Sequence, residues 1–199
     1  NFFKPDYLVK LAETKSEVKK AQKLRYEVFF SDRNKKKIFN ISNFRRDSDK
    51  YDSYCDHIIV SYKKSKFAKS KTVGTYRLLK QKIAEQKIGF YSSEEYDLTK
   101  LTAANHYSNM LELSRSCISQ QFRNKNVLKL MWREIYNYIS INKIDAMFGT
   151  ASFLETDVSK IEDQLIFLQQ NYKMPDLIEV KALKKFRAKL DSTKKIELN

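Results

Sequence analysis

The sequence predicts a mixed α/β domain, and three observations carry that prediction. Segments of strand and helix character follow one another in the order strand–helix–strand–strand–strand–helix–strand–helix–strand. The strand at Leu111–Ile118 is joined through a helix at Val127–Ile141 to a strand at Ala146–Phe153, which implies a parallel crossover. With 199 residues, 42% of them hydrophobic, the chain can bury a full core. No repeat or low-complexity linker divides it, so residues 1–199 read as one domain.

Tyr7–Ala12 alternates well enough for a short strand. Thr14-Lys15-Ser16-Glu17 then reads as a capping box, in which hydroxyl and carboxylate satisfy early helical N–H groups. Val18, Ala21, Leu24/Arg25, Val28 and Phe29 follow at helical spacing, which sets Arg25 on or beside the buried face. From Ser31 to Tyr54 no period is visible. That stretch opens on the basic run Arg33–Lys37 and closes on Asp47, Asp49 and Asp52, and long loops of this kind tend to be functional. His57–Tyr62 and Lys71–Leu79 read as strands joined by a turn with Lys63, Lys64, Lys66, Lys69 and Lys71 and no acidic residue. Phe90–Leu98 reads as a loop leading to a short helix. After the crossover, Val158–Asn171 is helical, Leu177–Leu183 is a strand, and a basic tail runs from Lys181 to Lys195.

The net charge of +15 predicts an acidic partner: nucleic acid, an anionic membrane surface or an acidic protein. Neither zinc-finger spacing nor an RNA-binding Gly-aromatic motif is present, so nucleic acid is disfavoured. Cys55 and Cys117 form neither a disulfide framework nor a metal site and read as two reduced cytosolic thiols. No apolar run approaches the roughly 20 residues that span a bilayer, and no signal-peptide pattern opens the chain. The expectation is a cytoplasmic protein whose membrane contact is peripheral, on the inner face of the cytoplasmic membrane.

The run Leu111-Glu112-Leu113-Ser114-Arg115-Ser116-Cys117-Ile118 carries the strongest chemical signal. A carboxylate and a guanidinium in an apolar run are costly to bury unless paired, and such a cost usually marks a site. The turn Gln120–Asn126 and a helix N-terminus follow at once, an arrangement suited to a thioester or phosphate-bearing ligand.

Seven phrases, in order, carry a resemblance. They are Leu8–Thr14, Leu24–Phe29, Asp49–Tyr51-Asp52 with Cys55-Asp56-His57, Val73-Gly74-Thr75-Tyr76-Arg77-Leu78-Leu79, Phe90-Tyr91-Ser92, Glu112–Cys117, and Phe148-Gly149-Thr150-Ala151-Ser152-Phe153. Together they resemble the ornithine N-acyltransferases that make lyso-ornithine lipid, often labelled hemolysin-like, relatives of the acyl-homoserine-lactone synthases. The resemblance implies a GNAT-like (acyl-CoA N-acyltransferase) α/β fold: a mixed, mostly antiparallel sheet with a parallel splayed strand pair, flanked by helices. It implies transfer of a (3-hydroxy)fatty acyl chain from acyl carrier protein to the α-amine of an amino acid, ornithine by default. No cofactor or metal is implied beyond the phosphopantetheine-linked donor. Family members continue past this chain's end with an apolar, Pro-containing segment, so the chain is either a minimal member or a piece.

The turn Arg123-Asn124-Lys125-Asn126-Val127 lacks the glycines that let a backbone approach the CoA pyrophosphate. A carrier protein offers a single phosphodiester, and an acidic carrier suits the basic runs Arg33–Lys37 and Lys63–Lys71, with a solvated lysine face as the bland alternative. Arg123, Asn124, Lys125 and Asn126 are therefore the candidates for the pantetheine arm. Glu112 is the candidate general base, directly or through a water, against a structural salt bridge with Arg115 or Arg77. A backbone N–H at Ser116 or Cys117 is the candidate oxyanion donor, and Cys117 as a nucleophile is disfavoured because spacing suggests no His partner. Asp49 and Asp52 are candidates for an ammonium or a cationic side chain of the acceptor. Arg25, Arg77 and Arg115 either bind its carboxylate or pair with those acids. Phe29, Phe148 and Phe153 are candidates for an acyl tunnel against ordinary core, Ser152 follows from the resemblance alone, and His57 reads as a hydrogen-bonded core histidine. The alternatives are a lactone-type signal synthase, disfavoured because Ser31–Asn40 lacks that family's tryptophan, and a non-catalytic basic membrane- or nucleic-acid-binding module.

Overall fold

The computed structural model describes residues 6–31, 45–103, 107–191 and 193–196. They divide into two compact units, one of the described residues up to Phe90 with Asn109–Gly149, the other of Tyr91–Ser108 and the residues from Thr150 on. The strands are β1 (Asp6–Leu11), β2 (Asp56–Lys63), β3 (Lys71–Lys80), β4 (Tyr96–Asp97), β5 (Met110–Ile118), β6 (Ala146–Phe148) and β7 (Lys181–Ala182). The longer helices are α1 (Lys15–Tyr26), α2 (Thr99–Ala103), α3 (Lys125–Asn142) and α4 (Val158–Asn171).

In the first unit five strands form one sheet in the order β1-β2-β3-β5-β6. All neighbours are antiparallel except β5 and β6, the parallel pair that the crossover predicted. Alternation along β2, β3 and β5 sends Ile58, Leu78, Leu111 and Leu113 to one face, where they pack on Ile135 and Tyr138 of α3. Val60 and Val73 meet Val127 and Met131 of the same helix. Each such fully buried aliphatic side chain contributes about 2 kcal/mol.

The opposite face carries His57, Thr75, Arg77, Glu112 and Ser114, all nearly inaccessible, and is covered by α1. That helix begins where its capping residues predict. Thr14 Oγ1 accepts from Glu17 N at 3.2 Å, and the Glu17 carboxylate reaches back to Glu13 N at 2.9 Å. Ala21, Gln22, Leu24 and Arg25 form its buried stripe. Over Glu27–Ser31 it widens into a π-turn rather than continuing as an α-helix through Phe29.

The second unit departs more from expectation. Phe90–Leu98 contains a 3-10 turn at Tyr91–Glu94 and the two-residue β4, and α2 follows at Thr99. The strand expected over Leu177–Leu183 shrinks to β7, because a 3-10 turn occupies Asp176–Ile178 and only Lys181 and Ala182 find a partner in β4. α4 has the predicted bounds, with Asp157 accepting from Ser159 N at 3.1 Å as its N-cap.

Candidate active site

β5 is nine residues long, but its parallel partner accompanies it for only three, Met110↔Ala146, Leu111↔Met147 and Glu112↔Phe148. The strand expected to run to Phe153 therefore stops at Phe148, and β5 continues to Ile118 without β6. Gly149 lies where the two chains part. A Cβ there would stand 2.3 Å from the carbonyl oxygen of Leu113, so no side chain fits. Glu112, at the last paired position, is 0% exposed.

Beyond the fork, β5 is irregular. Arg77 pairs with Ser114 and Thr75 with Cys117, so Tyr76 alone faces both Arg115 and Ser116, a β-bulge. Arg115 takes the left-handed conformation, φ 54°, without being glycine, a strain of about 1–3 kcal/mol that surrounding contacts must hold. The extra residue shifts the alternation, so Cys117 joins the face of Thr75 and Arg77, and the Ser116 hydroxyl bonds Tyr76.

The strain at Arg115 is held by an ionic cluster. Arg115 Nη2 lies 3.3 Å from Asp49 Oδ2 and its Nε 3.7 Å from Asp47 Oδ2. Arg77 Nη1 lies 2.6 Å from Asp49 Oδ1 and 3.2 Å from Asp52 Oδ1, and its Nε donates to Ser114 Oγ at 3.0 Å. Arg25 reaches Asp52 Oδ2 at 2.7 Å and Asp47 Oδ2 at 3.0 Å, and Gln22 donates to Asp52 at 2.9 Å. Three guanidiniums thus meet three carboxylates. Arg25 and Arg77 are 0% and 1% exposed. Burial alone would raise the Asp52 carboxyl, but hydrogen bonding and charge from Arg25 hold it down at about 2. Asp49 is lowered in the same way by Arg77 against the cost of its burial.

All three arginines pair with these acids, Arg25 and Arg77 wholly inside the fold and Arg115 at its partly open edge. Asp47, Gln22 and Ser114 complete the cluster; Asp47 stands in the acidic end of the loop and Ser114 in the β5 run, whereas no local pattern in the sequence marks Gln22. His57 is 1% exposed, burial lowers its pKa, and its Nε2 donates to the Asp52 carbonyl at 3.1 Å, which makes it a core histidine. Cys117 is buried, and that burial pushes its thiol up to about 12, away from the range of a reactive thiolate; Cys55 is raised for the same reason.

Arg123, Asn124, Lys125 and Asn126 are all exposed at the start of α3. Asn124 is the N-cap, its Oδ1 accepting from Asn126 N at 3.0 Å and Val127 N at 3.2 Å, and Arg123 Nε donates to the Ile118 carbonyl. Phe148 packs edge-on against Phe90 at 5.0 Å beside the fork, and half-buried Phe29 sits in the π-turn after α1. Ser152 and Phe153 belong to the second unit. The basic run Arg33–Lys37 lies outside the described residues. Among the described residues, no three His, Cys, Asp or Glu side chains converge as metal ligands.

An antiparallel sheet ending in a parallel pair that forks beside a buried carboxylate, with a helix starting just beyond the longer strand, defines a GNAT-type acyltransferase domain. Residues 24–133 match the family described as Acetyltransferase (GNAT) domain. The L-ornithine N(alpha)-acyltransferase of Brucella abortus (strain 2308) is 35% identical over 176 residues, which cover 88% of this chain and 63% of that protein. The protein of the same name from Rhodobacter capsulatus is 30% identical over 177 residues, 88% of this chain and 68% of the relative. The chain belongs to the GNAT family and, within it, to the branch that these ornithine acyltransferases form. It spans less than two thirds of the Brucella relative's length. Among solved structures the AHL synthase LasI covers 90% of either chain at 16% identity and a TM-score of 0.48.

Proposed function

We propose that this chain is the transferase domain of an enzyme that moves a (3-hydroxy)fatty acyl group from acyl carrier protein to the α-amine of ornithine, giving a lyso-ornithine lipid. The observation that carries the reading is the position of Glu112, a fully buried carboxylate at the last paired step before β5 and β6 separate. The names of the relatives supply the acceptor.

In this reading the thioester enters the fork with its carbonyl against the unpaired length of β5. The amine attacks that carbon while Glu112, directly or through one water, takes the proton the nitrogen must lose. The oxyanion forms against backbone N–H groups of β5 near the bulge, donors that are fixed before reaction and so cost little reorganisation. Collapse breaks the carbon–sulfur bond and expels the pantetheine thiolate, which takes up the proton held by Glu112. The amide product and the free carrier thiol balance the reaction. Arg123 and Lys125, exposed beside the Asn124 cap, hold the single phosphodiester of the pantetheine arm.

The acceptor meets the ionic cluster at its open members. Asp49 and Arg115 side chains are 22% and 26% exposed, against 1% for Arg25 and Arg77. The side-chain ammonium of ornithine lies on Asp49 and its α-carboxylate on Arg115, which leaves the α-amine free to lose its proton and attack.

Incubating the chain with 3-hydroxyacyl carrier protein and single amino acids, followed by mass measurement of the lipid extract, tests the reading. An N-acylornithine product is expected. No acylated product with any amino acid would remove the proposal.

A further inference from the structure

We infer that the turn between β2 and β3 is a lipid-surface anchor, in which Phe67 enters the headgroup layer of an anionic membrane while lysines around it hold that surface. Phe67 is 94% exposed. It sits between Lys66 and Lys69, with Lys63, Lys64 and Lys71 within four residues, and Lys64, Lys66, Lys69 and Lys71 are exposed too. None of these five lysines takes part in the ion pairs among the described residues, so all five charges are available to an outside anion. The sequence has no acidic residue from His57 to Ala84, and the carboxylate in register with Lys63 is that of Asp6 at the edge strand. An exposed ring gains nothing in water, and a cluster of four to eight cations is the composition that anionic lipid attracts.

The base of this hairpin is packed on aromatic rings. Tyr62 packs on Tyr7 at 5.1 Å and on Phe122 at 4.9 Å. Phe122 belongs to the turn from β5 to α3, so the hairpin is tied to the segment carrying Arg123 and Lys125. Lipid bound at the tip therefore fixes the distance from the surface to the donor end of the fork. A short lysine-dense run with a protruding ring favours a diffuse anionic surface over the broad, shaped interface of a protein partner. The inference rests on the proposed lipid product for its purpose, but lipid binding needs no turnover, so either can fail alone.

Co-sedimentation of the whole chain with vesicles of phosphatidylglycerol and phosphatidylcholine in equal parts, against phosphatidylcholine alone, tests it. The chain is expected to bind the mixed vesicles, to ignore the neutral ones, and to be released by salt. Phe67→Ser should weaken binding about tenfold. Lys64→Ala with Lys66→Ala and Lys69→Ala should weaken it roughly a hundredfold, at about fivefold for each lysine. These positions are on the surface, so melting temperatures should stay at the wild-type value. Failure of the wild type to bind anionic vesicles, equal binding to neutral ones, or variants that bind like wild type would overturn the inference. Variants that keep vesicle binding but raise KM for acyl carrier protein would make the hairpin a carrier dock instead.

Discussion

Replacing Gly149 by alanine probes the fork itself. The new Cβ would sit 2.3 Å from Leu113 O, a backbone atom, about 1.1 Å inside ordinary contact at 3.4 Å. No rotamer relieves that overlap, so β6 must move from β5 by about an ångström, and only three residue pairs hold the strands together. Overpacking of this kind costs about 1–3 kcal/mol, a fall in Tm of roughly 4–8 °C for 2 kcal/mol in a chain of this size. An ångström of misplacement at a reacting centre costs about 10²-fold. The assay is kcat/KM for acyl transfer measured well below Tm, with Gly74→Ala as control. There the Cβ meets Met131 Sδ and Val127 Cγ1 at 3.0 Å, side-chain atoms that can give way. Gly149→Ala should lose roughly 10²-fold in kcat/KM, and Gly74→Ala should lose stability with little loss of rate. Gly149→Ala with near-normal turnover would refute the idea that the parting of β5 and β6 sets the cleft.

Glu112→Gln keeps the volume and removes the proposed base, so transfer should fall by roughly 10²–10⁴-fold while the circular dichroism melt holds, and near-normal turnover would exclude Glu112 as base. Arg25→Ala strips Asp47 and Asp52 of a buried partner and should cost about 3–5 kcal/mol in urea unfolding. A loss below about 1 kcal/mol, the range of an exposed pair, would mean that Arg25 does not hold the cluster together. Asp52 titrates at about 2 in the folded chain and near 3.9 when unfolded. A depressed carboxyl adds stability that is complete above pH ~4 and lost as pH falls through 2, here about 1 kcal/mol after allowing for solvent screening. Urea midpoints measured at descending pH should therefore drop across that window in wild type, and more shallowly in Asp52→Asn.

The elements whose signal is local are readable in the sequence. Thr14 and Glu17 mark the start of α1, helical spacing puts Arg25 on its buried face, and the apolar stripe Val127, Met131, Ile135, Tyr138 defines α3. Glu112 and Arg115 in an apolar run mark a site because burying charge is costly. What stays hidden depends on distant partners. No residue pattern says which of three aspartates meets which arginine across 22 to 68 positions of sequence. The bulge is invisible because Arg115 adopts a positive φ without a glycine to mark it, and strict alternation puts Cys117 on the wrong face. The end of β6 is hidden because the sequence through Phe153 is apolar enough for a strand, while pairing ends at Phe148. Tyr96 and Lys181 belong to a two-residue ladder too short to leave a period.

Central to the proposed mechanism is that the fork between β5 and β6 receives the thioester beside Glu112. A crystal structure of the chain with a hydrolysis-resistant acyl-pantetheine amide tests it most directly. The amide carbonyl is expected beyond the Glu112–Phe148 pair, its oxygen within hydrogen-bond reach of β5 backbone N–H groups and Glu112 one water or less from the acceptor nitrogen's place. An analogue bound elsewhere, with packed side chains filling the fork, would contradict it.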